Sequence, residues 1–559
     1  MKKSVMALIG LGMVLGTAHA SKLQSETPAY VPGELIVKFK NLKSTKSLDG
    51  LEISKHISKN IAVVKFNEKS SIDSLISRLK QNTDVEYAEP NYIVKAIQTT
   101  KSIWENLNSI NTNDPKFNNL WGLVNTGNNE PAGSRGNSSS SGVAGADINA
   151  IKAWGITKGS KAIKIAIIDT GVDYNHPDLK SNMWTNTAEA NGIAGVDDDG
   201  NGYIDDIHGY DFANKDGDPM DGNGHGTHCA GTIAAVHDNG IGIAGVMGEA
   251  EIVGVKFLTD QGSGSSADAI AAIDYATKIG VDIMSNSWGG GGYSQALKDS
   301  IVAANRAGII FTAAAGNSAT DNNTSPHYPS NYEVDNVISV AAHNYNDELA
   351  SFSCYGSNTV HVSAPGRNIL STVPNNSYDV YSGTSMATPH VTGVVGLYLA
   401  HNGTTDPKDL RDKLMESSVY GAAYGKKTIS GGRVDAFNFL TGVVESRPAK
   451  PDPASWQRSS VEVFESAHPY LNNGNITKTY TVPGAKFLRV VVRQHDLETN
   501  YDYLSIKDGS GVEIQRVDGK GSDTVTEYVD GDTITVSFTS DTSVQQWGYL
   551  IDEVEFILE

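Results

Sequence analysis

Only two cysteines, Cys229 and Cys354, occur in 559 residues. Disulfides therefore cannot be the main source of rigidity if the chain is exported, and bound metal ions become the expected substitute. Positive charge is also scarce. Forty-four Lys and Arg against 64 Asp and Glu leave a formal charge of −20, without the basic footprint that nucleic acid or an anionic membrane surface requires. The same acidity suits calcium. No stretch approaches the ~18 uninterrupted apolar residues of a membrane span. The run from Val5 to Leu15 is too short for a stable anchor; it follows Lys2 and Lys3 and leads to Ala18-His19-Ala20, the small-x-small pattern of a signal peptidase site. Residues 1–20 are thus expected to be removed, leaving an exported, unanchored monomer, extracellular or periplasmic. The zinc-hydrolase pattern HExxH is missing too, which turns the His225/His228 pair away from zinc chemistry and gives His228 a packing role.

The length calls for several cores. Residues 21–96 read as a small α+β unit: 34–40 and 61–66 alternate like strands, 71–81 has helical spacing, and VEYAEPNYIVKA returns to alternation. A polar stretch, 97–113, reads as a cleavable connector. From 114 to 443 the β-rich runs KIAIID, EIVGVKFL, DIMSNSW, IIFTAAA and VISVAA are separated by glycine-rich turns and helical segments, which predicts an α/β unit with a parallel sheet. The prolines of RPAKPDPAS make 444–455 a linker. Strand patterns at 478–482, 486–492, 503–507 and 533–538, with no helical period between them, make 456–559 an all-β sandwich.

Four side chains and one backbone amide stand in contexts suited to nucleophilic catalysis. Asp169 ends the run KIAIID, at the strand edge where α/β sheets place their chemistry; taken alone, such an Asp is more often a helix cap. His225 lies in NGHGTHCAGTIAA, whose small residues suit a tightly packed helix. Ser385 lies in YSGTSMATPHVTGVVGLYLA, a turn entering an apolar helix, where Pro389 is tolerable only near the first turn. The Ser385 amide is positioned to stabilise an oxyanion, and Asn317 in TAAAGNS offers a second donor, although an Asn after Gly is ordinarily just a turn.

Taken together, IIDTGVDYNHPDL, GHGTHCAGTIAA, AAAGN and GTSMATPHV resemble, in order, the four signature segments of the subtilisin-like serine proteases. The resemblance covers 114–443. It implies that Ser385 attacks the scissile carbonyl, His225 relays the proton, Asp169 orients His225 and Asn317 stabilises the oxyanion. It implies that extended peptides pair as an added strand against Ser287-Trp288-Gly289 and Gly262-Ser263-Gly264. The pocket for the residue before the cut is then bounded by Ser287 to Gly289 and Ala315-Gly316, with His327 and Tyr328 near its floor. Main-chain pairing implies broad specificity. Cys229 matches the free buried thiol of the proteinase K and thermitase types. Residues 31–96 resemble the family's inhibitory pro-domain, which implies a self-processing zymogen.

Calcium is implied at two or three places in this unit. Asp197, Asp199 and Asn201 occupy the first, third and fifth places of a calcium loop, with Gly202 sixth; His208 stands twelfth where Glu would be needed, so Asp205 or Asp206 must complete the shell. The alternative is a solvated acidic loop. Asp211, Asn214, Asp216 and Asp218 resemble the medium-affinity loop of the thermitase branch, and Asp114, Asp178 and the turn Asn239-Ile241-Ile243 the family's strong site. The C-terminal module is similar to a CUB domain without its usual disulfides, carried by HDLETNYDYLSIKDG and TSDTSVQQWGY. That likeness maps a further calcium onto Glu498, Asp502 and Asp541. A competing class of function is a calcium-dependent adhesin built on an inactive protease core; the intact Asp, His, Ser and Asn set argues against it.

Overall fold

The apolar runs assemble into a nine-stranded sheet. Its order is Val419–Tyr420, Gly432–Arg433, Val362–Pro365, Val337–His343, Ile310–Ala314, Ile283–Asn286, Gly159–Asp169, Glu249–Lys256 and Gly209–Asp211. Only the first pairing is antiparallel. Both faces are covered, which is why KIAIID reads as a continuous apolar run rather than an alternating one. Ile165 and Ile167 pack beneath the helices His225–Ala234 and Thr384–Asn402. Ala166 and Ile168 face the helices Ser266–Lys278 and Gln295–Arg306. This computed structural model describes residues 30–40, 51–58, 60–66, 71–96, 112–131, 142–421, 423–448, 451–499, 501–509, 511 and 513–558. The expected signal segment and connector residues 97–111 lie outside them.

The N-terminal unit folds the strands Tyr30–Phe39, Glu52–His56, Ile61–Lys65 and Val85–Ala96 around the helix Ile72–Leu79, which Ser71 caps through the Ser74 N–H. Its sheet is antiparallel. One face closes its own core with Leu35, Val37, Ala62, Val64, Leu75 and Leu79. The other carries Ile36, Ile61 and Val63 into the core beneath the helices Ser266–Lys278 and Gln295–Arg306. Glu89 fixes this docking: its carboxylate accepts the Gln295 N–H at 2.7 Å, the Ala296 N–H at 3.0 Å and the Ser294 hydroxyl, capping a helix of the larger unit. Lys38 and Lys55 add ion pairs to Asp299 and Asp268 at 2.7 and 2.9 Å.

C-terminal to the linker, Gln457–Glu465, Gly548–Leu558, Ala485–Asp496, Lys520–Val525 and Val529–Asp530 form one antiparallel sheet, and Asn475–Thr481, Thr533–Thr539, Tyr503–Lys507 and Glu513–Val517 another. Their inner faces share one core, including Val490, Val554, Ile506 and Val536. Contact with the α/β unit runs through Lys426, which lies over the Tyr528 ring and pairs with Asp530 at 3.6 Å, and through Ser357, bonded to Glu527.

Candidate active site

Asp169 and His225 start 56 residues apart and meet at the carboxyl edge of the sheet, where His225 Nδ1 lies 2.8 Å from Asp169 Oδ1. Both are fully buried. Asp169 Oδ1 also accepts the Thr170 N–H at 2.7 Å. A carboxylate on Nδ1 selects the tautomer that leaves Nε2 to exchange protons with a hydroxyl.

A residue not singled out from the sequence holds this pair in place. Asp221, buried in the turn before His225, accepts the Thr170 hydroxyl, the Asn223 and Gly224 N–H groups and the Thr227 N–H, each at 2.9 Å, and the Thr227 hydroxyl at 2.6 Å. Thr170 in turn accepts the Gly226 N–H at 2.9 Å. One carboxylate therefore ties the residue after Asp169 to the first turn of the helix that His225 begins. Burial raises its pKa, and the donors around it pull the other way. In sequence it looked like one more turn-forming Asp. Behind His225, His228 stacks on Tyr381, its rings 4.4 Å apart, and burial pushes its pKa down to about 3, so it is a neutral packing group.

Ser385 is the second residue of its helix, so its N–H lies outside the intrahelical ladder. Pro389 falls in the second turn, not the first as its sequence context suggested. It has no N–H to offer the Ser385 carbonyl four residues back. That carbonyl accepts instead from the Ser287 hydroxyl at 2.9 Å and from the Cys229 thiol at 3.5 Å. Cys229 sits one turn after His225, so the proline's missing bond docks the serine against the histidine's helix. The Ser385 hydroxyl donates to the Ser287 carbonyl at 3.0 Å. Asn317 Oδ1 accepts the N–H and hydroxyl of Thr384, both at 2.9 Å. With its oxygen held there, the amide turns its N–H groups away from Thr384. Both cysteines are buried free thiols.

The two edges expected to bind an extended peptide hold one from this chain. Val85–Ala96 pairs antiparallel with both, setting Val94 opposite Gly264, Lys95 between Ser263 and Gly289, and Ala96 opposite Trp288. Gly262 closes the turn before Ser263 with φ of +75°. At the wall facing 287–289, the Gly316 N–H donates to Thr384 Oγ1 at 3.1 Å, and Ala315 is fully buried. Between Gly289 and that wall stands His327. A Cβ on Gly289 would meet His327 Cε1 at 2.2 Å, and one on Gly316 would meet its Cδ2 at 3.0 Å.

Residues 160–443 match the subtilase family, peptidase S8. The chain belongs to the subtilase family. Residues 17–91 match the fervidolysin N-terminal prodomain. The chain is 33% identical over 432 residues to a thermophilic serine proteinase of Bacillus sp. strain AK1, covering 76% of this chain and 91% of that one. It is 40% identical over 296 residues to thermitase of Thermoactinomyces vulgaris, covering 52% and 92%. It is 35% identical over 308 residues to subtilisin-like protease 1 of Plasmodium berghei, covering 52% of this chain and about half, 51%, of that relative. This subtilase is a serine-type endopeptidase with an N-terminal prodomain, and the matches do not favour the adhesin alternative.

The acidic residues of the subtilase fall into distinct arrangements. Asp199 and Asp206 come together with Glu189, which the sequence reading missed because it lies in a separate short helix, Thr187–Ala190. Asn201 donates to both Asp199 and Asp206. Asp197 instead accepts the Asn201 and Gly202 N–H groups, and Asp205 accepts that of Gly195. Asp211 accepts from Ala213 and Asn214, Asp216 from the Asp218 N–H, and Asp218 from the Tyr174 hydroxyl. Asp114 takes the Asp238 and Asn239 N–H groups. Asp178 takes the Asn239 side chain, the Ile243 N–H and the Tyr378 hydroxyl, while the Ile241 N–H bonds to the Asn239 side-chain oxygen. Burial, with the like charge of Asp114, pushes Asp178 up to about 6. A buried oxygen-rich site whose carboxylate resists ionisation is one that a hard cation would relieve. In the C-terminal module Glu498, Asp502 and Asp541 offer oxygens within 4.8 Å of one another.

Proposed function

We propose that this subtilase is exported as a self-processing zymogen and hydrolyses peptide bonds of unfolded or loosely folded proteins with broad preference. Ser385 attacks the scissile carbonyl while His225 takes its proton through Nε2. Asp169 keeps the imidazole in that tautomer and stabilises the imidazolium. The tetrahedral oxyanion is held by the Ser385 N–H and the Asn317 amide. His225 returns the proton to the leaving amine, and water then releases the acyl group by the same route in reverse. The observation that carries this reading is the 2.8 Å Asp169–His225 bond in the same edge of the sheet that anchors Asn317 and Ser385 through Thr384.

Val85–Ala96, seated across both edges of the groove, supports inhibition by the prodomain until the 97–113 connector is cut. Residues 1–20 support export, and among the described residues no helix is long and apolar enough to cross a membrane. Calcium suits Asp114, Asp178 and the 239–243 turn best, with Asp199 and Asp206 next. When bound it would supply a structural cross-link between distant segments, not a chemical step. The C-terminal module reads as CUB-like, with Glu498, Asp502 and Asp541 as its acidic face. The test is hydrolysis of a denatured protein by wild type and by Ser385→Ala. Cleavage by wild type alone supports the proposal; equal cleavage by both, or none by either folded protein, refutes it.

A further inference from the structure

The run of four glycines at 289–292 answers to more than one demand. Gly290 and Gly291 carry φ of +107° and +77°, a region that side chains rarely enter, whereas the backbone of Gly292 makes no such demand. What Gly292 lacks is room. A Cβ there would meet Tyr92 Cζ and the Tyr92 hydroxyl oxygen at 2.9 Å and Cε1 at 3.2 Å, and one on Gly291 would meet Tyr92 Cβ at 3.1 Å. The half-buried Tyr92 ring therefore lies along the bare main chain of 291–292. The α/β unit also fixes the backbone that delivers this ring. Ile93 pairs with Ser265 and Val94 with Gly264, and the Ser266 hydroxyl donates to the Tyr92 carbonyl at 2.9 Å. Residues two apart on a strand share a face, and Val94, 2% exposed, joins the core that includes Trp288. Ser265, Ser266 and the glycines all belong to the α/β unit and stay behind when the N-terminal unit leaves.

We infer that Gly291 and Gly292, with Ser266 at their edge, form a binding site for an aromatic side chain of the substrate, six residues before the scissile bond. The strand register gives the count. Ala96 lies opposite Trp288, so a substrate residue one further on stands opposite Ser287, whose carbonyl accepts the Ser385 hydroxyl. The bond after that residue is the one attacked, and the place of Tyr92 is the sixth before it. This inference rests on the peptidase reading above and adds a substrate class to it: protein segments with Tyr, Phe or Trp at that place. Recognition is by shape and apolar contact. A flat ring covers a bare peptide backbone with its whole face, which an aliphatic or charged chain does less completely. Before maturation Tyr92 fills the site itself.

The experiment uses the full chain after self-maturation and the peptides acetyl-X-Ile-Val-Lys-Ala-Ala-p-nitroanilide, with X as Tyr, Phe, Leu, Lys, Asp or Gly. Nitroaniline is released only by a cut after the last Ala, which locks the register. Each kcat/KM is normalised to the amount of enzyme labelled at Ser385 by a fluorophosphonate. The expected result is a kcat/KM for Tyr and Phe ~5- to 20-fold above Gly, carried mainly by KM, since part of the gain from covering the ring is lost in ordering its side chain. Leu, Lys and Asp should stay within ~3-fold of Gly. Gly292→Val, whose methyl groups would stand where the ring lies, should bring the Tyr-to-Gly ratio below ~2. Labelled wild type that cuts the Tyr, Phe and Gly peptides equally, or ranks Leu, Lys or Asp level with Tyr, overturns the inference whether or not the variant folds. An unchanged ratio in a labelled Gly292→Val protein does the same. Absence of both labelling and cleavage sinks the peptidase reading, and this inference with it.

Discussion

Replacing Asp221 separates a positioning role from a passive turn. Its carboxylate takes five hydrogen bonds, from three backbone N–H groups and two hydroxyls. In Asp221→Ala the hydroxyls of Thr170 and Thr227 can rotate to other acceptors, but three N–H groups at the entry to the His225 helix lose a buried charged partner. Stranding a buried donor costs roughly 1–3 kcal/mol, and water entering the space of the lost carboxylate recovers part of it, so a loss of about 4–6 kcal/mol is expected. Asp221→Asn keeps the shape and one accepting oxygen. If its amide faces Thr227, one N–H is left opposite another donor, for a loss of about 2–3 kcal/mol. Since Thr170 and Thr227 fix the Asp169–His225 pair, kcat should fall ~10- to 100-fold in Asp221→Asn, with KM within about threefold, because misplacing reacting groups costs rate more than binding. Stability is measured by urea unfolding in a Ser385→Ala background, which prevents self-digestion, and kcat on the active protein. If both variants stay within about 0.5 kcal/mol and twofold of wild type, the carboxylate positions nothing and the argument fails.

Asn317→Ala should lower kcat by ~10²- to 10³-fold, the usual cost of removing one oxyanion donor, with KM little changed; steady-state kinetics on a peptide decides it, and a loss confined to KM contradicts the oxyanion role. His228 is fully buried with its pKa pushed down to about 3. The unfolded chain therefore binds that proton first, and the stability His228 contributes is complete above about pH 6.5 and is lost as pH falls toward 3. The cost of His228→Gln, from urea midpoints, should shrink by roughly 2–3 kcal/mol between pH 7 and pH 4.5; a cost constant with pH contradicts the burial argument. Calcium at about 100 times its dissociation constant should stabilise the Ser385→Ala protein by about 2.7 kcal/mol per site. Asp178→Asn should remove much of that gain, whereas an unchanged midpoint with calcium would dismiss the ion.

The parallel sheet was legible because its strands, covered on both faces, read as unbroken apolar runs, one ending in Asp169 and another leading to Asn317, whereas the strand before Ser385, Ser377–Tyr381, pairs in a separate two-stranded sheet. Among the edge strands of the C-terminal module, Asn475–Thr481 matched the pattern at 478–482, but Gln457–Glu465 was not legible. Gln457–Glu465 is largely exposed, with a burial pattern that carries no sharp alternation. Glu52–His56 escaped notice because it too lies at a sheet edge. What the sequence hid at the site was long-range hydrogen bonding. Asp221 resembles its neighbours in DGNGHG until Thr170, 51 residues away, donates to it. Pro389 looks out of place in a second turn until Ser287, 98 residues before Ser385, takes the carbonyl it leaves over. The acidic loop disclosed ligand types but not which carboxylates converge, since a two-residue shift decides whether an Asp faces the cluster or a backbone N–H.

The most direct test of the central claim follows the full-length precursor over time by intact mass spectrometry, as wild type and as Ser385→Ala, with a fluorophosphonate present in a parallel sample. The account predicts that wild type alone sheds the N-terminal unit and that the label maps to Ser385. A folded wild type that neither processes itself nor takes the label, or a Ser385→Ala protein that does both, would contradict it.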